Sequence, residues 1–224
     1  MKFNSATVVS LILAVYAQVT FGAVVQYDSK QQYLANAGST QTETFNGFNA
    51  DVSFQTDEID IGAIHLKGFG SQQQVFNYVD AGIPIITGLS LNGTTQVTAL
   101  TSSPDTGFSI LFESPVSSFG ADFLSLQAPG NLLRTYIIVA GETLTPPLQA
   151  TNALTFFGFI SSTPFTEVRF VNANNPSVID IFAMDNASFT PAVPEQSSSL
   201  LFVAGLAYLW SRASGSRLRS SAEA

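Results

Sequence analysis

Apolar and polar residues alternate in short runs through the middle of the chain. In residues 108–113, FSILFE, the alternation holds over part of the run, Pro115 interrupts it, and SSFGADFLSL opens a second run at Ser117. RTYIIVAG (134–141), LTFFGFIS (154–161), TPFTEVRFVN (163–172) and VIDIFAMDNASFT (178–190) repeat the habit. A period of two places alternate side chains on opposite faces of a strand. Clusters of Gly, Pro, Asn and Ser separate the runs at intervals of about 8–15 residues, which predicts an antiparallel sandwich or barrel and not βαβ units. One segment departs from this. SKQQYLANAG (29–38) has a helical look, with Ser29 placed to cap it and Gly38 to end it. The expected fold class is therefore all-β, an antiparallel β-sandwich over residues 23–192.

Both ends follow a different pattern. Lys2 precedes an apolar stretch over residues 6–17, and Thr20-Phe21-Gly22 puts small residues where a cut between Gly22 and Ala23 would need them. That order predicts a secretory signal peptide over residues 1–22, with export machinery and signal peptidase as its partners. At the other end, 16 uncharged residues lie between Glu195 and Arg212. As a helix they would span about 24 Å at ~1.5 Å per residue, against a bilayer core of about 30 Å. The segment LLFVAGLAYLW is apolar all round, which argues against a surface helix with one buried stripe. Arg212, Arg217 and Arg219 follow, and by the positive-inside tendency they hold this end in the cytoplasm. The tail is thus expected to be a short transmembrane-type helix with a basic stop.

Val193-Pro194-Glu195, then the apolar stretch with AGL at 204–206, then the arginine cluster, resembles the PEP-CTERM sorting signal. Gln196 departs from the usual pattern, which has a second Pro there. The resemblance implies a Gram-negative bacterial protein that is exported, held in the inner membrane and cut near the motif by an exosortase-like enzyme. It then implies a cell-surface or extracellular destination, in association with exopolysaccharide. The body also resembles the jelly-roll-like domains found upstream of such tails, through ETFNGF (43–48), FESPVSSFGADF (112–123), FFGFISSTPFTEVRF (156–170) and IFAMDNASF (181–189). For domains of that kind the resemblance implies a structural calcium held between an early loop and the last strand. The matching positions are Asn46 and Asp185, and Asn46 stands where an acidic residue is usual. Calcium is the one cofactor candidate.

Composition narrows the chemistry. The 224-residue chain is 46% apolar and 11% charged, with 19 Phe and no Cys. A chain so rich in apolar residues is not intrinsically disordered, and without Cys it has no disulfide framework, thiolate metal site or cysteine nucleophile. Residues 23–192 hold four basic residues (Lys30, Lys67, Arg134, Arg169) against fourteen acidic ones, a net −10. Outside that span Lys2 and the three C-terminal arginines stand against Glu195 and Glu223, which leaves −8 for the whole chain. Such a body is a poor partner for nucleic acid, whose phosphates need clustered cations. His65 is the only histidine, and there is no GxSxG, HExxH or P-loop. Asp57, Glu58 and Asp60 form an acidic cluster that offers another calcium position, though its plainest reading is a solvated turn. Tyr78, Tyr136 and Trp210 are the large amphipathic aromatics that a sugar could stack on. Asn92-Gly93-Thr94 and Asn186-Ala187-Ser188 fit glycosylation sequons and read here as turns. The resulting expectation is an exported, non-enzymatic surface or matrix protein. A calcium-stabilised carbohydrate-binding module is the first alternative and a hydrolase on the same sandwich the second.

Overall fold

β-Branched and aromatic residues dominate the central runs, and in the computed structural model they form strands. The structure describes residues 23–55, 57–70, 77–81, 95–101, 106–127, 135–148, 154–172 and 180–192. The chain divides into two compact units, Met1–Pro191 and Ala192–Ala224, and every strand and helix described belongs to the first. In chain order the elements are β1 (Val24–Tyr27), α1 (Lys30–Ala37), β2 (Gln41–Glu43), β3 (Val52–Ser53), β4 (Ile59–Ile61), β5 (Ile64–Phe69) and β6 (Tyr78–Asp80). Then come β7 (Gln96–Thr101), β8 (Gly107–Leu124), β9 (Thr135–Val139), β10 (Glu142–Leu144), β11 (Leu154–Asn172) and β12 (Asp180–Pro191). Every strand pairing is antiparallel. The all-β expectation holds.

The helix forms as its sequence predicts. Ser29 caps α1 by accepting from the Gln32 N–H at 3.4 Å, and Gly38 ends it at φ 78°. A left-handed residue after the last turn suits glycine, which has no Cβ to clash.

The prolines act differently from the expectation. The sequence pattern makes Pro115 a break between two strands and divides residues 154–161 from 163–172. Instead β8 runs through Pro115, and β11 runs through Pro164. Each proline sits in a three-residue exposed stretch, 113–115 in β8 and 162–164 in β11. The register between the two strands shifts between Ile160 and Phe165 and again before Glu167. A proline offers no N–H, so the ladder loosens there and the long strand bends instead of ending.

The bends give each long strand two roles. The first part of β8 pairs with β5 and with the second part of β11, which also carries β9 and then β10. The second part of β8 pairs with the first part of β11, which carries β1, and with β12, which carries β7 and β2 on its other edge. Strands that turn a corner at a bulge fold one sheet into two facing halves. Phenylalanines fill the space between: Phe112 and Phe119 lie 6.3 Å apart, Phe119 and Phe170 6.4 Å, and Phe123 and Phe170 6.1 Å. Phe108 and Phe170 stack at 4.6 Å with planes 4° apart. Aromatic pairs in this range add to the burial itself, which is why so Phe-rich a chain needs no disulfide.

Among the described residues no helix is long and apolar enough to cross a membrane. Gly22, the motif Val193-Pro194-Glu195, the tail helix and Arg212, Arg217 and Arg219 all lie outside the described residues.

Candidate functional site

The outer faces of the two halves differ. The half made from the second part of β8 is covered by α1. Tyr33 and Ala37 pack there against Phe156, with Tyr27 and Ile160 alongside. Gly120 and Gly158 pair across β8 and β11. A Cβ on Gly120 would stand 2.5 Å from Phe156 Cζ, so the missing side chains make room for that ring. Beneath the helix runs a polar network. The Tyr33 hydroxyl lies 2.9 Å from Ser118 Oγ and donates to the Ser188 carbonyl at 3.0 Å. Ser118 Oγ in turn donates to Thr190 Oγ1 at 2.8 Å, and Thr190 donates to the Ala37 carbonyl at 2.9 Å, so the single Tyr33 hydrogen is shared between Ser118 and the Ser188 carbonyl. Burial pushes the Tyr33 phenol up to about 12, and the hydrogen bond with Ser118 offsets part of that rise.

At the N-terminal end of α1, Lys30 reaches Asp122 Oδ2 at 2.6 Å, and Asn186 Nδ2 donates to the same oxygen at 3.0 Å. Asp122 stands directly opposite Asp185 across β8 and β12. Asp185 is 6% exposed and its Oδ1 accepts the Asn186 N–H at 2.6 Å. Asn186 has φ 52°, where the register between the strands shifts. Two carboxylates at facing positions repel one another, and the Lys30 ammonium offsets that repulsion.

The calcium candidates fall beside this pair. Asp185 stands opposite Asp122, the carboxylate that Lys30 pairs. Asn46 lies in an exposed turn just after β2, beside the fully buried Phe45. β2 pairs with β12 through Glu43 and Ala187, so the Asn46 turn leaves β2 next to the strand that carries Asp185. Asp122 and Asp185 are the oxygen donors that would hold a cation there, in competition with the ammonium. Among the described residues no group of three or more His, Cys, Asp or Glu is arranged to hold a metal ion. The acidic cluster serves the β4–β5 hairpin: Asp60 Oδ1 accepts the Gly62 N–H at 2.9 Å, and Glu58 faces His65 and Lys67, each at 3.6 Å. Asn186 is no free sequon, because its amide is bonded to Asp122 and Ala187 and Ser188 are buried.

The other half has an outer face that no described element covers. Three rows cross it. His65, Leu111 and Glu167 form one. Lys67, Ser109, Arg169 and Ile138 form the second. Phe69, Gly107, Val171 and Tyr136 form the third. The Arg169 guanidinium carbon lies 4.1 Å from the centre of the Phe69 ring, a cation–π contact. Ser109 donates to Glu167 at 2.5 Å. A shallow groove of about 330 Å³ borders the face, lined by Ile138, Ala140, Pro164, Thr166, Glu167 and Arg169. Aromatic rings, one guanidinium and carboxylates on a flat surface suit a ligand with both apolar faces and hydroxyls.

His65 lies between two carboxylates. Its Nδ1 faces Glu58 at 3.6 Å and its Nε2 faces Glu113 at 3.9 Å. With a carboxylate on each side, neither nitrogen has a hydroxyl partner among the described residues. Of the face residues, sequence reasoning named His65 and Tyr136 and missed Phe69, Lys67 and Arg169. The signal was present in IHLKGF, where Ile64 and Leu66 are buried and His65, Lys67 and Phe69 alternate with them. Compared with protein-family models and with curated proteins, the chain matches none.

Proposed function

We propose that this chain is an exported, non-enzymatic surface or matrix protein. Its route is set by its ends: a leader cut between Gly22 and Ala23 and a PEP-CTERM-like tail processed near Val193-Pro194-Glu195. The tripartite tail carries this reading, because motif, apolar helix and basic stop in that order have no use in a soluble domain. The body is a jelly-roll-like sandwich, and its duty is association with exopolysaccharide. The mass of the mature protein from its native cells tests the route. Termini at Ala23 and near Val193 are expected, and a C-terminus still reaching Ala224 would reduce the tail to a plain anchor.

The face that no described element covers favours a second reading of the same body, as a carbohydrate-binding module. Phe69 and Tyr136 offer ring faces, and Arg169, Glu167 and Lys67 offer hydrogen bonds to hydroxyls. The calcium of that reading belongs to Asn46 and Asp185. Glycan-array binding that a chelator abolishes is its test, and binding indifferent to chelation would separate the face from calcium. Turnover of a glycan lost on changing one carboxylate would instead reveal a hydrolase.

A further inference from the structure

Four strands end together at one edge of the sheet, and each brings a polar residue. Thr101 ends β7, Thr135 begins β9, Asn172 ends β11 and Asp180 begins β12. The pairing joins them, Thr101 opposite Asp180 and Asn172 opposite Thr135. Gln127, just beyond β8, completes the group. None of the five is more than 1% exposed. Polar residues so far from solvent must answer to one another.

Their hydrogens can be followed one by one. Thr135 Oγ1 donates to Asp180 Oδ2 at 2.5 Å, and the Gln127 backbone N–H donates to the same oxygen at 3.2 Å. Thr101 Oγ1 lies 2.8 Å from Thr135 Oγ1. Since the Thr135 proton is committed to the carboxylate, Thr101 is the donor in that pair. The Gln127 amide donates to the Thr135 carbonyl at 2.6 Å, and the Asn172 amide donates to the Thr101 carbonyl at 3.2 Å. Those two contacts fix which end of each amide is nitrogen. The hydroxyl hydrogens are then spent, while Gln127 Oε1 and Asn172 Oδ1 have no hydrogen-bond partner among the described residues. A buried acceptor without a hydrogen is costly, and this cluster holds two.

We infer that this strand-end cluster is a calcium site, with Asp180, Gln127 Oε1 and Asn172 Oδ1 as protein ligands. The donor set is all oxygen, which a hard cation selects over zinc or copper. Positive charge or new hydrogens would satisfy the two amide oxygens. One carboxylate and two neutral amides give low charge, which corresponds to the weak range of extracellular modules, about 0.1–1 mM. The site is separate from the Asn46 and Asp185 positions and does not depend on them.

Thermal unfolding of the full-length chain in detergent, stripped with chelator and titrated with calcium chloride, tests this. Tm is expected to rise by about 3–5 °C at ten times the dissociation constant. Calorimetric titration of the same protein is expected to show a binding event with half-saturation in that millimolar-or-below range. Gln127→Met and Asn172→Leu keep the volume and remove the oxygen, and each is expected to raise half-saturation at least tenfold. Asp180→Asn is expected to abolish the response; should it fail to fold, the two amide variants decide. No calcium response up to about 10 mM, well above the weak range of such sites, would overturn the inference and leave the two amides to a bridging water. A response unchanged in the amide variants but lost in Asp185→Asn would also overturn it and assign the ion to the other position.

Discussion

Tyr33 shows how much a single side chain can carry. Its ring packs 5.2 Å from Phe156 and its hydroxyl ties α1 to β8 and β12 at once. Because the folded state holds the phenol proton up to about 12, while an unfolded tyrosine releases it near 10, the unfolded state deprotonates first as pH rises. This contribution to stability is therefore intact below about pH 10 and is lost between about pH 10 and 12. We expect urea midpoints of the wild type to fall across that window and those of Tyr33→Phe to fall less. At neutral pH the same variant should be destabilised by about 1–2 kcal/mol, since the Ser188 carbonyl and Ser118 lose a partner. Equal slopes for the two proteins would show that Tyr33 does not govern the alkaline limit. Little of this was legible in the sequence. Tyr33 stands between Gln32 and Leu34 in an ordinary short helix, and its partners lie 85 and 155 residues away.

At the scale of elements, α1 is held by packing over Phe156 and by one ion pair. Lys30 is 41% exposed and Asp122 14%, so water screens the pair and its direct worth is at most about 1 kcal/mol. Its second effect is to spare Asp122 and Asp185 their mutual repulsion. Lys30→Met keeps the stem and removes the charge. We expect its loss of stability to be larger at low salt than at about 0.5 M, where screening is strong, and Asp122→Asn in the same background to recover part of it. A loss independent of salt would mean that the stem, not the charge, pins the helix. The helix itself was readable from Ser29 and Gly38, since capping is local. The later strands were readable in place but not in number or extent: β1 to β7 were not singled out, and Pro115 and Pro164 look alike whether a strand ends or bends. What decides is the partner strand, which lies far along the chain. The strand-end cluster escaped for the same reason: Thr101, Thr135, Asn172 and Asp180 each read as an ordinary boundary residue until pairing brings them together.

For the molecule as a whole, the sequence order and the spatial order run against each other. β1 pairs with β11, and β2 with β12, so residues near Ala23 and Thr42 wait for Ser161 and Ser188. Ala23 itself donates to Ser162 Oγ at 3.0 Å, a bond that an N-terminal ammonium left by cleavage at that point could still make. Long-range antiparallel pairing of this kind folds slowly, in milliseconds to seconds, which suits a chain proposed to cross a membrane before it folds. Deleting residues 180–191 removes a partner from β2, β7 and β8 together. We expect that truncation to be digested by protease at concentrations the full chain resists. Persistent resistance would show that the remaining strands fold without β12.

β12 has hydrogen-bonded neighbours on both edges, β8 along one side and β7 followed by β2 along the other. Its ladder bonds stand across the strand axis. A pull on the chain at Pro191 would therefore load those bonds in shear, many at a time, instead of unzipping them singly. A protein tethered through that point to a surface under flow would have its strongest mechanical element where the tether attaches.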